Sequence, residues 1–136
     1  MSEQPRKALP VPTPESAPYW QGCSESKLLL QRCEACGRHQ FYPRAICTAC
    51  SSASLSWEPA SGRGRVKSYT VIRRAVSAAY EPEVPYVVAL IELAEGPTLM
   101  SNIVDAPPEQ LRIGAAVRVR FDAWGGDLRL PVFLLE

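Results

Sequence analysis

The chain has 136 residues, of which 46% are hydrophobic and 21% charged, with a formal net charge of +1. This length allows one ordinary domain or two small ones, and the composition is that of a globular protein. Near-neutrality excludes a strong global field toward nucleic acid or anionic membrane, and no apolar run approaches the roughly 20 residues needed to cross a bilayer.

Residues 1–12 carry Pro5, Pro10 and Pro12 with few large apolar side chains. They are expected to form a flexible arm, or one that orders only on a partner. The polar start has no apolar signal-peptide core, so a cytoplasmic location is expected. Thr13-Pro14-Glu15-Ser16 marks a helix start: Thr13 can cap, Pro14 fits the first helical position and Glu15 favours the positive end of the dipole. Residues 13–27 are read as an N-terminal helical segment through Tyr19, Trp20 and Cys23. Gly22 offers a break, and a second turn or helix is expected from Lys27 to Leu30. Tyr19 and Trp20 either pack on the ribbon or the domain after it, or present a docking surface for another subunit or a wall for an apolar ligand. Cys23 reads as a small apolar residue.

Residues 28–55 are organised by Cys33-Glu-Ala-Cys36-Gly37 and Cys47-Thr-Ala-Cys50-Ser51. Each Cys-x-x-Cys is a tight hook that aims two thiolates at one point, and two hooks supply the four soft ligands of a tetrahedral Zn²⁺. Gly37 can take the positive φ such a turn needs. Iron is chemically admissible at the same sulfurs, and zinc is the expectation. Disulfides would need an oxidising compartment, and a redox dithiol needs only one hook. With Cys33, Cys36, Cys47 and Cys50 all bound, no position is left for water or substrate, so the metal is expected to fold the chain rather than catalyse. Leu28 to Arg32 reads as the first ribbon strand, and Phe41-Tyr42-Pro43 as the strand and turn of a compact hairpin. His39, the lone histidine, is expected to be exposed on that hairpin.

Residues 51–61 look like a connector, with Trp57 as its anchor, and 56–136 is assigned to a barrel. From Gly62 the hydrophobic period becomes two. Strands are expected at 65–72, 84–93, 98–104, 116–121 and 128–135, with a short helix or turn at 107–112 and a Gly125-Gly126 turn. In the fourth strand Val117, Val119 and Phe121 should face in and Arg118, Arg120 and Asp122 out. Five strands with a helical insert between the third and fourth is the profile of an OB-type barrel, so the fold class is mostly β. Arg63, Arg65, Lys67, Arg73 and Arg74 lie on or beside the first of these strands. They are either an ordinary solvated face or an anion site, and the modest excess of cations suits a small polyphosphate better than a nucleic acid.

Taken together, Trp20, Leu30 to Gly37, Tyr42-Pro43-Arg44, Cys47 to Cys50, Trp57, Ser61 to Val66, Pro85 to Ala89, Glu95-Gly96 and Ile113-Gly114 resemble the zinc-ribbon/OB-fold proteins that accompany thiolase-like enzymes, once filed as a domain of unknown function. The resemblance covers nearly everything after Thr13. It implies a rubredoxin-like ribbon with zinc at Cys33, Cys36, Cys47 and Cys50, ahead of an OB barrel. It also implies a non-catalytic accessory subunit in a hetero-oligomer with a thiolase-fold enzyme (thiolase, acyltransferase or retro-aldolase), a CoA thioester as ligand and no membrane attachment. Tyr19 and Trp20 are the docking candidates, and Arg44, Arg63 and Arg65 the candidates for CoA phosphates. No Ser–His or Cys–His pairing can be proposed from the residues. The alternative reading is a single-stranded nucleic-acid binder.

Overall fold

A computed structural model of the chain describes residues 7–125 and 127–136. The expected arm at 1–6 and the turn residue at 126 lie outside the described residues. Thr13 caps the first turn: its Oγ1 accepts the Ser16 N–H at 3.2 Å, and Ser16 Oγ accepts the Thr13 N–H at 2.8 Å. This is a reciprocal box of the kind that satisfies orphan amides at a helix start. The regular helix α1 then runs over Ala17–Ser24, with Pro18 rather than Pro14 in its opening positions. It passes through Gly22 without a break, and the glycine makes room for Leu29, since a Cβ on Gly22 would lie 2.8 Å from Leu29 Cγ. The helix ends when Ser26 takes φ 60, with Lys27 N–H donating to Gly22 O at 2.8 Å and Ser26 N–H to Cys23 O at 3.0 Å. That Schellman closure turns the chain straight into a strand, so the second helix expected around Lys27 does not form.

Strand β1 (Leu29–Cys33) is flanked by β2 (His39–Gln40) and β3 (Leu55–Pro59), both antiparallel to it. The expected connector at 51–61 therefore contains a third ribbon strand. Leu55 and Trp57 alternate with Ser56 and Glu58 there, and Gln31 on β1 faces Trp57 in register. Five further strands close a barrel: β4 (Arg63–Ile72), β5 (Tyr86–Leu93), β6 (Thr98–Ile103), β7 (Ala116–Gly125) and β8 (Leu128–Leu135). Their order is β4-β5-β6-β8-β7, all antiparallel except β6 with β8, and a 3₁₀ turn at Pro108–Gln110 separates β6 from β7. This is the five-stranded OB arrangement, in which closure removes the exposed edges.

Gly64 sits between two strands of the barrel, pairing with Leu93 on β5 and with Val117 on β7. A Cβ there would sit 2.6 Å from Glu92 O and 2.8 Å from Ile91 Cγ2, so β5 can approach this closely only against a glycine. The predicted alternation on β7 holds at Val117, which is buried while Arg118 is exposed, and the strand runs on four residues past Phe121. Near its end the β7–β8 register slips between Ala123 and Gly125, placing Trp124 in a bulge.

Tyr19, Cys23, Leu28 and Leu30 join Val66, Ile91, Leu93, Val117 and Phe133 in one buried cluster. Helix, ribbon base and barrel thus share a core in which each large side chain contributes about 1.5–3 kcal/mol. The first described residues lie on the barrel as well, for Trp124 Nε1–H donates to Ala8 O at 3.3 Å. This part of the expected arm is therefore in contact with the chain's own barrel.

Candidate functional site

The two hooks are built alike. Gly37 N–H donates to Cys33 O at 2.8 Å and Ser51 N–H to Cys47 O at 2.9 Å, and both residues after the hooks take positive φ, 79 at Gly37 and 66 at Ser51. Glycine adopts that conformation freely, and a serine can be held in it. The four sulfurs of Cys33, Cys36, Cys47 and Cys50 all lie within 4.8 Å of one another. The short separations cross between hooks, 3.5 Å from Cys33 to Cys50 and 3.7 Å from Cys36 to Cys47. A tetrahedron with Zn–S of about 2.3 Å has edges of about 3.8 Å, so the cradle fits a zinc-sized ion.

Its electrostatics point the same way. The Cys36 N–H on the Cys33 sulfur lowers that thiol to about 6. The N–H groups of Cys50 and then Ala49 lower Cys47. Cys50 is pushed up to about 12: the Ser52 N–H lowers it, but the hydrogen bond to Cys33, burial and the other cysteines outweigh that. Four sulfurs this close cannot all ionise without a compensating cation, and a divalent metal ion supplies that charge.

Two buried glutamines hold the loop between the hooks. Gln31 Oε1 accepts from Gln40 Nε2 and from Arg44 N–H, both at 2.8 Å, while Gln31 Nε2 donates to Arg44 O at 2.8 Å. Gln40 Oε1 accepts the Thr48 N–H at 2.9 Å, inside the second hook. Sequence reasoning missed this pair, since a glutamine on a short strand looks like surface. His39 is not free on the hairpin either: its Nε2 lies 2.9 Å from Glu58 Oε2 on β3, the strand that had read as connector. Cys23 is fully buried, and burial raises its thiol to about 11.

Tyr19 and Trp20 do come together with other aromatics. Their ring centroids are 4.8 Å apart, Tyr19 is 5.3 Å from Phe41, and Phe41 is 5.6 Å from Tyr42. Tyr19 is buried in the core, whereas Trp20 is half-buried against it. With Met100, Trp124, Leu130 and Pro131 these rings line a groove of about 350 Å³ where α1, the inter-hook loop and the barrel meet. The buried Trp20 Nε1–H meets no acceptor among the described residues. Trp124 was absent from the expected site, although an indole beside a double glycine signals a strand tip. The arginines are elsewhere. Arg63 is exposed on β4 opposite Arg118, Arg65 donates to Gly114 O at 3.0 Å, Arg44 is exposed after the hairpin, and none of the three lines the groove.

A four-cysteine ribbon fused through one core to a five-stranded barrel defines a zinc-ribbon–OB-fold protein. Residues 20–56 match the family described as ChsH2, rubredoxin-like zinc ribbon domain, and residues 57–122 match ChsH2, C-terminal OB-fold domain. The chain belongs to this ChsH2/DUF35 family. It is 38% identical over 104 residues to a DUF35 domain-containing scaffold protein of Methanocaldococcus jannaschii, covering 75% of this chain and 73% of that one. It is 36% identical over 135 residues to the probable enoyl-CoA hydratase alpha subunit of Thermomonospora curvata, covering 97% of this chain but only 42% of the relative's length. Among solved structures it superposes on a chain of the Ltp2-ChsH2(DUF35) aldolase with a TM-score of 0.85 at 34% identity, covering 93% of this chain and 98% of that one.

Proposed function

We propose that this protein is a non-catalytic, zinc-binding OB-fold subunit of a thiolase-like acyl-CoA enzyme complex, a thiolase, acyltransferase or retro-aldolase. In that complex it stabilises the catalytic partner and helps form the acyl-CoA site. The observation that carries the reading is the apolar, aromatic groove lined by Trp20, Phe41, Tyr42 and Trp124 where helix, inter-hook loop and barrel meet. An acyl-pantetheine chain is mostly apolar with spaced carbonyls, which is what such a wall can hold, and the volume falls within the range of small-molecule sites. The names of the relatives, a hydratase alpha subunit and a scaffold protein, and of the solved aldolase complex support an accessory role.

In this reading Cys33, Cys36, Cys47 and Cys50 hold a structural Zn²⁺, and the partner supplies nucleophile, acid and base. His39 is engaged by Glu58 and the Cys23 thiol is buried, which leaves neither poised for chemistry. Arg44, Arg63 and Arg65 are proposed for the CoA phosphates, outside the groove. Arg63, with a side chain 75% exposed, can turn toward an anion. Nucleic acid is the poorer reading, because the β5–β6 face exposes Leu90 and Met100 rather than cations.

The test is co-expression with a candidate thiolase-fold enzyme, followed by calorimetric titration of acetyl-CoA into the partner alone and into the complex. Stable co-purification and at least tenfold tighter binding by the complex are expected. Failure to co-purify overturns the subunit role, and equal affinity overturns the ligand role.

A further inference from the structure

Trp124 has a second set of neighbours on the side away from the groove. Tyr80 lies 6.5 Å from it and Tyr86 lies 5.9 Å from Tyr80, by ring centroids. The three rings come from different parts of the fold: the 3₁₀ turn at Ala78–Glu83, the start of β5 and the end of β7. A bulge at Trp124 is what aims the indole there, since a bulged residue leaves the ladder. The Lys7 ammonium sits over this cluster, 4.2 Å from the Trp124 centroid and 5.2 Å from that of Tyr80, and pairs with the Glu83 carboxylate. Beneath it is a hollow of about 180 Å³ lined by Tyr80, Glu83, Tyr86, Asn102, Asp122 and Trp124. Asp122 is already neutralised by Arg120, at 2.7 Å and 2.9 Å, which leaves Glu83 as the carboxylate facing the ammonium.

Several ring faces around one carboxylate form the arrangement that attracts alkylammonium groups: the ring quadrupoles present negative faces, and the acid supplies net charge. Such contacts between partly exposed groups are individually weak, enough to seat a tethered lysine but not to lock it. We infer that Tyr80, Tyr86, Trp124 and Glu83 form a cation-binding cage, that Lys7 is its resident ligand, and that the cage accepts other alkylammonium ions when Lys7 is withdrawn. Tethering makes Lys7 a strong competitor, because its effective concentration at the cage is in the millimolar range or above. The Trp124 N–H to Ala8 O bond and the packing of Leu9 against Gly125, where a Cβ would come 3.2 Å from Leu9 Cδ2, hold the lysine in place.

This inference does not depend on the acyl-CoA reading, and its test contains no thioester. Tetramethylammonium chloride is titrated into the ¹⁵N-labelled full chain against sodium chloride at equal ionic strength. The reporter is the Trp124 indole N–H resonance, assigned with Trp124→Phe. In Lys7→Gln the resonance is expected to shift saturably, with a half-saturating concentration at least tenfold below that of the unsubstituted protein. Lys7→Arg, which keeps a cation on the rings, should restore the weaker response. The amide fingerprint of the barrel should be unchanged in both variants. A Lys7→Gln response no stronger than that of the unsubstituted chain, or no response in either, overturns the cage.

Discussion

Gln31 and Gln40 are polar residues spending all their hydrogen bonds inward. Replacing Gln40 with leucine leaves the Thr48 N–H without its acceptor and the Ile46 carbonyl without its donor. A buried group so stranded costs about 1–3 kcal/mol, and loss of support behind a metal ligand typically costs 10–100-fold in affinity. Gln40→Leu should therefore yield its zinc to a competing chelator at a correspondingly lower chelator concentration, read from a colorimetric titration. Cys23 makes a different prediction. Burial raises its folded thiol to about 11, above its unfolded value, so the neutral form is the one the fold favours. The associated stability is intact below the unfolded thiol's pKa and is lost as pH climbs toward 11. Urea midpoints should fall between pH 9 and 11, and fall less steeply in Cys23→Ala. At this scale the convergence of the four cysteines was plain in the sequence, because paired hooks have few other uses. The glutamines, the Ser51 conformation and the His39–Glu58 contact were hidden, because each depends on a neighbour distant in the chain.

Strands were readable where one face is wet and the other dry. The Val117, Arg118, Val119, Arg120 run alternates for that reason, and the OB-type barrel followed from the strand count and the insert. β3 was misjudged because serine, alanine and proline around it suggest a loop, although Leu55 and Trp57 carry the period of a strand. The helix end was misjudged for a similar reason: Ser26 in a left-handed conformation closes α1 earlier than its composition suggests. Element closure also supplies a sharp test. Gly64→Ala forces a Cβ to within 2.6 Å of a backbone oxygen on β5, which rotamer changes cannot relieve. Overpacking of this kind costs about 1–3 kcal/mol or more, so the urea midpoint should drop by that equivalent. Alanine at Gly96, where nothing lies within 4 Å, tests the different question of its φ of 115 and should not disturb the barrel pairing.

For the molecule as a whole, the shared core makes metal binding and barrel stability one problem. Leu28 and Leu30 enter the same cluster as Phe133 and Ile91. Cys36→Ser should therefore lower the thermal midpoint of the entire chain rather than melt the ribbon alone, since metal-binding energy in so small a unit is folding energy. Hydrogen exchange separates the outcomes: faster exchange in β5 and β8 is expected, and a change confined to residues 29–59 would contradict a single cooperative unit. The groove was only half foreseen at this scale. Tyr19 and Trp20 stood out as large and early, but their companions come from the ribbon loop and the far end of the barrel, and no local pattern links these.

Phe41 and Tyr42 lie within the stretch that runs from one hook to the other. Whatever ion the four sulfurs clasp thus rivets two distant points of the backbone and closes a ring around those aromatics. Zinc supply would then decide more than whether the ribbon is ordered. A cell short of the metal would be left with protein whose hollow has lost one side, and a chelator acting only at the sulfurs would be expected to loosen the aromatic groove as well.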